Sequence, residues 1–378
     1  MDLPSGTRNY DYARDMAVLR TKTHWAFFIG LFIIVFTAPL YFGNYWLGVF
    51  NLIGITIITV TGLNILVGYC GQLSIGHAGF MAVGAYTTGI LTGTFGLPFL
   101  LGLLCAGLSA GLIGIIFGLP SVRVKGFYLA ITTIAAQFII IWVINHWTSV
   151  TGGFVGMDVP RASIGDFTIR VINYLLSAIS GLLGVTITPI SISGFVFRTE
   201  ASQYYLIMVV VALCIFLAKN LARGKVGRAF IAVRDNDLAA EVMGINLLYY
   251  KLLAFFIGCF FAGIAGALYA HWTGFLNAEN FTLTDSILYI GMVIIGGVGT
   301  TIGPILGVVV IRLLQQGITF ISPFIENAIP ALPAGFTTGL GPMVFGLAII
   351  LFLILEPRGL AHRWALFKAA YRLWPFSY

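Results

Sequence analysis

Ten apolar runs follow one another along this chain, at 25–42, 47–67, 78–96, 98–119, 127–145, 203–219, 250–272, 286–299, 303–320 and 338–355. A helix needs about 20 apolar residues to cross a bilayer, and most of these runs approach that length. In lipid every backbone N–H and C=O must be satisfied internally, so only helices and closed barrels can span. Barrel strands would show short segments of alternating polarity, which is not the pattern here. Hydrophobic residues make up 59% of the 378 positions and charged residues only 9%, too little charge to cover a soluble protein of this size. The sequence predicts an all-α polytopic membrane protein with about ten transmembrane helices, within a range of eight to ten.

Charge gives the topology. With the N-terminus inside, sixteen of the twenty Lys and Arg residues fall on inside segments, as the positive-inside rule expects. They lie in a tail at 1–24, at Arg123 and Lys125, between Lys219 and Lys251, and beyond 356. The outside segments carry Asp158, Asp166, Glu200, Glu279, Asp285 and Glu326. The net charge of +7 thus reports sidedness rather than a nucleic-acid partner. Runs one to five cross from inside to outside and runs six to ten return, the arrangement of two inverted five-helix halves. The permease domain then covers 25–355, with an external segment at 146–202 and a cytoplasmic loop at 220–249. Residues 356–378 form a second inside tail. Within the external segment, 171–192 could form a membrane-surface or re-entrant piece. The polar Met1–His24 is no signal peptide, so the first apolar run reads as a retained span.

Two Gly-rich interruptions sit at comparable points of the two halves and read as a pair. One runs from Gly68 to Gly79 and carries Gln72, Ser74 and His77. The other runs from Gly296 to Pro304 and contains Gly297, Gly299 and Thr300. Unwound backbone at membrane depth survives only where protein or a water-filled cavity satisfies it. Interrupted helices in both halves point to a substrate path, which makes these seven residues pathway-lining candidates. Tight helix packing through small residues is the competing explanation. Arg312, within a span, needs a partner or a cavity; a subunit contact or a snorkelling position is the plainer account of it. The four cysteines read as small core residues.

The most elaborate polar segment is Lys219–Lys251, which holds six basic residues between two apolar spans. Inside it, Asp237–Asn246 reads as a short helix ended by Gly244, because glycine accepts the left-handed backbone just past a helix end. Ala239 and Ala240 permit close approach of another surface, and Arg228, Arg234, Asp235, Asp237 and Glu241 offer charged contacts around Leu238. No nucleophile–base pair or metal cluster accompanies them, so no catalytic residue, metal site or cofactor is expected.

The ordered motifs GLNILVGYCGQLSIGHAGFMAVGAY (Gly62–Tyr86), GRAFIAVRDNDLAAEVMGIN (Gly227–Asn246), YKLLAFFIGCFFAGIAGALYAH (Tyr250–His271), IIGGVGTTIGP (Ile294–Pro304) and EPRGL (Glu356–Leu360) resemble LivM-type permeases. These are membrane subunits of branched-chain amino acid ABC importers. The Ala-Ala-x-x-x-Gly spacing at Ala239–Gly244 is similar to the loop by which such permeases engage their ATPases, although Leu238 stands where the usual pattern has Glu. The resemblance, which covers roughly Val49–Leu360, implies a transport subunit of the plasma (inner) membrane rather than an enzyme. It implies a homologous second permease, two cytoplasmic ATP-binding subunits and an extracytoplasmic binding protein as partners. ATP would sit on the ATPases, since this chain has no GxxxxGK[ST] phosphate loop. Urea or a short amide is the alternative cargo. An ion-coupled secondary transporter is the alternative class, disfavoured by the scarcity of intramembrane carboxylates.

Overall fold

A computed structural model describes residues 22–122, 126–164, 195–197, 199–328 and 336–373. Each of the ten apolar runs is helical there: α1 (Lys22–Tyr41), α2 (Asn44–Asn64), α3 (His77–Gly93), α4 (Phe99–Gly118), α5 (Phe127–His146), α6 (Glu200–Arg223), α9 (Leu247–Thr273), α10 (Leu283–Gly296), α11 (Gly303–Ala328) and α12 (Phe336–Leu355). The polar loop contributes α7 (Lys225–Asp235) and α8 (Asp237–Val242), and the C-terminal segment contributes α13 (Leu360–Leu373). Seven helices among the described residues are long and apolar enough to cross a membrane. The pair Gly341–Leu355 and Leu360–Ala369, bent by 42°, would make an eighth if taken as one span. Two of the expected spans are short helices beside the breaks. At 17 residues α3 is about 26 Å long at 1.5 Å per residue, less than the ~30 Å hydrocarbon thickness, whereas the 14 residues of α10 are extended by the preceding turn into the 19-residue candidate span Ala278–Gly296.

The core is organised around α9, which packs on α4, α3 and α2. The reason is a stripe of small residues at every fourth position: Ala254, Gly258, Ala262, Gly266 and Ala270. Small residues on one helix face let backbones approach closely where lipid supplies no hydrophobic driving force. A Cβ on Gly62 of α2 would lie 2.5 Å from the Gly258 carbonyl oxygen, and one on Gly266 only 2.0 Å from that of Met81 in α3. Those glycines are there for contact. The cysteines are reduced, with Cys70, Cys214 and Cys259 buried and Cys105 half-buried.

At the C-terminal end of α9, two-residue antiparallel ladders join β1 (Met157–Asp158) to β4 (Phe275–Leu276) and β2 (Ser163–Ile164) to β3 (Phe195–Val196). Buried His271 faces the Thr88 hydroxyl at 3.0 Å and the Pro160 carbonyl at 2.7 Å. Glu200 accepts hydrogen bonds from Asn51 (3.1 Å) and Trp272 (3.0 Å). These polar ties fix the end of the bundle opposite the α7–α8 loop. The tail expected at 1–24 is described only from Lys22, where α1 begins. Arg123, Lys125 and the 171–192 piece lie outside the described residues.

Candidate functional site

The two glycine-rich breaks touch each other. At the first, α2 widens into a π-helical turn at Ile65–Tyr69, a distortion common at functional positions. Asn64, at the end of α2, then grips the second break from both sides. Its Nδ2 donates to the Thr300 carbonyl at 2.8 Å, and its Oδ1 accepts from the Gly299 N–H at 2.9 Å. The fit allows no side chain: a Cβ on Gly68 would lie 2.4 Å from the Gly299 nitrogen. An inverting axis would put equivalent features at opposite ends, so these two breaks are not counterparts of one another. Under that relation the partner of 68–79 is the α9–α10 connection.

The second break is a capped turn. Thr300 Oγ1 donates to the Gly297 carbonyl (2.8 Å) and accepts from Gly303 N–H (3.0 Å). Gly297 and Gly299 have φ of +114° and +74°, which glycine adopts without steric cost. Gly296 sits where a Cβ would strike the Gly303 carbonyl oxygen at 2.0 Å. On the far side the EPRGL turn closes over it: a Cβ on Gly359 would be 2.6 Å from the Gly297 Cα. Residues 356–373 are therefore part of the packed unit. Glu356 pairs with Arg363 within that turn and helix.

The polar loop reaches the same junction through Arg234. Its Nη1 donates to the Gly68 carbonyl at 2.9 Å, while Nε and Nη2 hold the Asp235 carboxylate at 2.9 and 2.8 Å. Three glycines make the slot. A Cβ on Gly71 would lie 2.8 Å from Arg234 Cγ, one on Gly299 3.1 Å from Nη1, and Gly68 supplies the acceptor. Arg234, expected as a charged contact of the loop, is exposed and also joins the loop to the first break.

Beyond it lies α8. Asn236 caps its first turn by accepting from Ala239 N–H at 3.1 Å. At its end Gly244 N–H donates to Glu241 O (2.9 Å) and Ile245 N–H to Ala240 O (3.0 Å), with Gly244 at φ +84°. That is a Schellman motif. Ala240 is buried against its own chain, whereas Ala239, Glu241 and Arg228 are exposed. Leu238, Val242 and Met243 are 69%, 88% and 82% exposed. Leu238 and Val242 on this six-residue helix and Met243 at its C-cap form an exposed apolar face; Val242 and Met243 were missed because two helical turns are too short for a periodic signal. Asp237 is half-buried and pairs with Lys251 of α9 at 3.6 Å.

Gln72, Ser74 and His77 are buried inside the subunit. The Gln72 amide nitrogen contacts Cys70 Sγ at 3.5 Å, but Gln72 Oε1 and Ser74 Oγ have no hydrogen-bond partner. Around them the break is laced to α5 and α10. Thr133 accepts from Ile75 N–H, and Ser286 accepts from Ala78 N–H and donates to Gln137 (2.7 Å). Ser286 could not be singled out from sequence, since a lone serine in an apolar helix carries no pattern. Arg312 has found partners on its neighbours: Nε and Nη2 donate to Thr56 of α2 and Nη1 to Gln315. Asp285 is a helix cap, closing a capping box with Thr282.

Residues 45–353 match the family described as branched-chain amino acid transport system / permease component. The chain belongs to this permease family. It is 30% identical over 291 residues to the high-affinity branched-chain amino acid transport system permease protein LivM of Escherichia coli (strain K12), which is 77% of this chain and 67% of the relative. The Salmonella typhimurium protein of the same name is also 30% identical over 291 residues, with the same shares of each chain. A probable branched-chain amino acid transport permease protein LivM of Methanocaldococcus jannaschii is 24% identical over 270 residues, 69% of this chain and 67% of the relative. No solved structure matches the chain. With its apolar helices, membership makes the chain a multi-pass membrane transport subunit rather than an enzyme.

Proposed function

We propose that this permease carries branched-chain or other neutral amino acids and forms half of the translocation pathway of an ABC importer. The other half comes from a homologous permease, the energy from two cytoplasmic ATP-binding subunits, and the cargo from an extracytoplasmic binding protein. The α7–α8 loop and both termini lie on the cytoplasmic side of the plasma (inner) membrane, in keeping with the charge distribution.

The observation that carries this reading is the Arg234 junction. A loop helix that only connected two spans would need no hydrogen bond from its flanking arginine to the first break. Here α8 offers Leu238, Val242 and Met243 outward while the adjoining Arg234 holds the carbonyl of a π-widened break. A partner that moves α8 therefore moves Gly68 and Gly299. Differential binding of that face to two ATPase states biases two membrane conformations. Arg228, Asp235, Asp237, Ala239, Ala240, Glu241 and Gly244 frame or support the docking helix. Gln72, Ser74, His77, Gly296, Gly297, Gly299 and Thr300 belong to the breaks that respond, and the unmatched buried polar atoms among the first three support a role beside the pathway.

The test is reconstitution of the assembled transporter with its binding protein in liposomes. Leucine uptake should require both ATP and the binding protein. Uptake that persists without the ATPases and collapses with an ion gradient would overturn the assignment. A screen of the binding protein against leucine, urea and acetamide separates the amino acid cargo from the amide alternative.

A further inference from the structure

The span α11 carries a polar stripe that its neighbours in the subunit do not cover. Arg312, Gln315, Gln316 and Thr319 recur at the spacing that puts side chains on one helix face, within the candidate span Gly303–Pro323. That span is the least buried of the seven. Arg312 lies about 13.5 Å along the helix from Gly303 at 1.5 Å per residue, near the middle of a ~30 Å hydrocarbon layer. Snorkelling serves residues near helix ends and does not account for it. The guanidinium is held but not neutralised. Nε and Nη2 donate to Thr56 Oγ1 at 3.2 and 3.0 Å, and Nη1 donates to Gln315 Oε1 at 3.1 Å. The Thr56 hydroxyl itself donates to the Leu52 carbonyl at 2.7 Å, so it offers only lone pairs to the arginine. Both partners are neutral, they use only part of the donor fork, and among the described residues no carboxylate pairs with Arg312. From Arg312 the stripe continues through Gln316, which bonds the exposed Tyr45 hydroxyl at the start of α2, to exposed Thr319. Before Arg312 the helix is apolar, GPILGVVVI. The polarity therefore runs from mid-depth to one mouth only, the end away from the two breaks.

A charged, hydrogen-bonding face at membrane depth is not left to lipid; it turns to water or to a polar partner. We infer that this face of α11 lines an aqueous vestibule of the translocation path, and that Arg312 at its floor receives the carboxylate of the carried solute. A guanidinium pairs with a carboxylate through parallel N–H···O bonds, and a carboxylate is what every amino acid offers and urea or acetamide lacks. Thr56 and Gln315 aim the fork without competing for it, as a carboxylate of the chain itself would. The inference rests on the proposed transport of amino acids for the source of that carboxylate, and goes beyond it by assigning the group a residue.

The experiment uses the transporter assembled with its second permease, ATPases and binding protein, in nanodiscs for labelling during ATP turnover and in liposomes for uptake. Anionic and cationic membrane-impermeant methanethiosulfonates are applied to Q316C, T319C and I321C, each with half-buried Cys105 changed to Ala. Ile321 is a control two residues beyond Thr319, 56% exposed and on the other side of the helix. Q316C and T319C should react at least tenfold faster than I321C. The anionic-to-cationic rate ratio at Q316C, normalised to a free thiol, should fall at least fivefold when Arg312→Gln is added, a change that a merely structural arginine would not produce. Isovalerate should slow labelling of Q316C and isoamylamine, which lacks the carboxylate, should not; this arm keeps Arg312 and decides the matter if R312Q fails to assemble. Leucine uptake should fall at least tenfold in R312Q and less in R312K. Labelling of Q316C and T319C as slow as that of I321C would make the stripe a contact with the second permease and overturn the vestibule. An unchanged rate ratio or full uptake in assembled R312Q, or no selective protection by isovalerate, overturns the carboxylate role. Either result beside leucine uptake that still needs ATP and the binding protein would sink this inference and leave the transport assignment standing.

Discussion

The Arg234 guanidinium and the Gly68 carbonyl, 166 positions apart in the chain, are joined by a 2.9 Å hydrogen bond. Because the same guanidinium is held by Asp235, its position follows the α7–α8 corner, and the bond transmits that position to the break. Gly68 in turn faces Gly299 without an intervening side chain. One side chain thus addresses both interruptions.

Removing it should uncouple the transporter rather than unfold it. Arg234→Ala is expected to cut leucine uptake per ATP hydrolysed by tenfold or more, with the complex still assembled. Arg234→Lys should fall in between, because an ammonium cannot hold the carboxylate in a fork and reach the carbonyl as well. Parallel uptake and phosphate-release assays on proteoliposomes check this. A native ratio in R234A would refute the transmission role.

Glycine at the breaks should be far less replaceable than glycine in lipid-facing helix. G68A places a methyl 2.4 Å from two neighbouring atoms, whereas nothing lies within 4 Å of a Cβ at Gly317. Overpacking costs about 1–3 kcal/mol, while Gly→Ala in a helix interior gains up to about 1 kcal/mol. Thermal unfolding in detergent should therefore show G68A melting lower and G317A at or above the native temperature.

Gly244 presents the opposite case, with open space but a left-handed backbone at φ +84°. The cost of a side chain there is about 1–2 kcal/mol of backbone strain, and asparagine tolerates that region better than a branched residue. Gly244→Asn should retain ATPase co-purification and Gly244→Val should weaken it. Equal recovery from both variants would show that the α8 terminus is not needed for docking.

The outward face of α8 offers a cleaner separation of stability from assembly. L238D and V242D change exposed positions, so melting of the permease should move little. Buried apolar anchors dominate interface energies, and ATPase co-purification should drop by an order of magnitude or more. Unaltered recovery in the double variant would remove α8 as the docking helix.

Thiol chemistry reports on the packing of the first break. Cys70 is 3% exposed, so a labelling reagent cannot reach its sulfur in the folded protein, and reaction requires both access and thiolate. A variant retaining Cys70 as its sole cysteine should resist maleimide at pH 8 until denatured. Rapid labelling of the folded protein would contradict the buried placement.

Local pattern was enough for much of this molecule. Apolar runs located helices at all ten positions, of which seven among the described residues are long and apolar enough to cross a membrane. Gly244 marked the end of α8 through its backbone freedom alone. The ordered motifs from Gly62 to Leu360 identified the permease family, and Arg312 was rightly expected to find a partner. The face that α8 turns outward was not readable, since six residues hold too few repeats of a 3.6-residue period to define a side. Ala240 consequently lies inward while Val242 and Met243 face out.

What the sequence determined by itself was therefore what depends on neighbours along the chain: membrane class, helix positions, the charge asymmetry and the breaks. Tertiary structure alone decided which breaks meet and that Arg234 bonds the first of them at Gly68. Those relations join segments from opposite halves of the chain. Nothing in local propensity encodes them, because they come from helices brought together by close backbone contact at Gly62, Gly258 and Gly266.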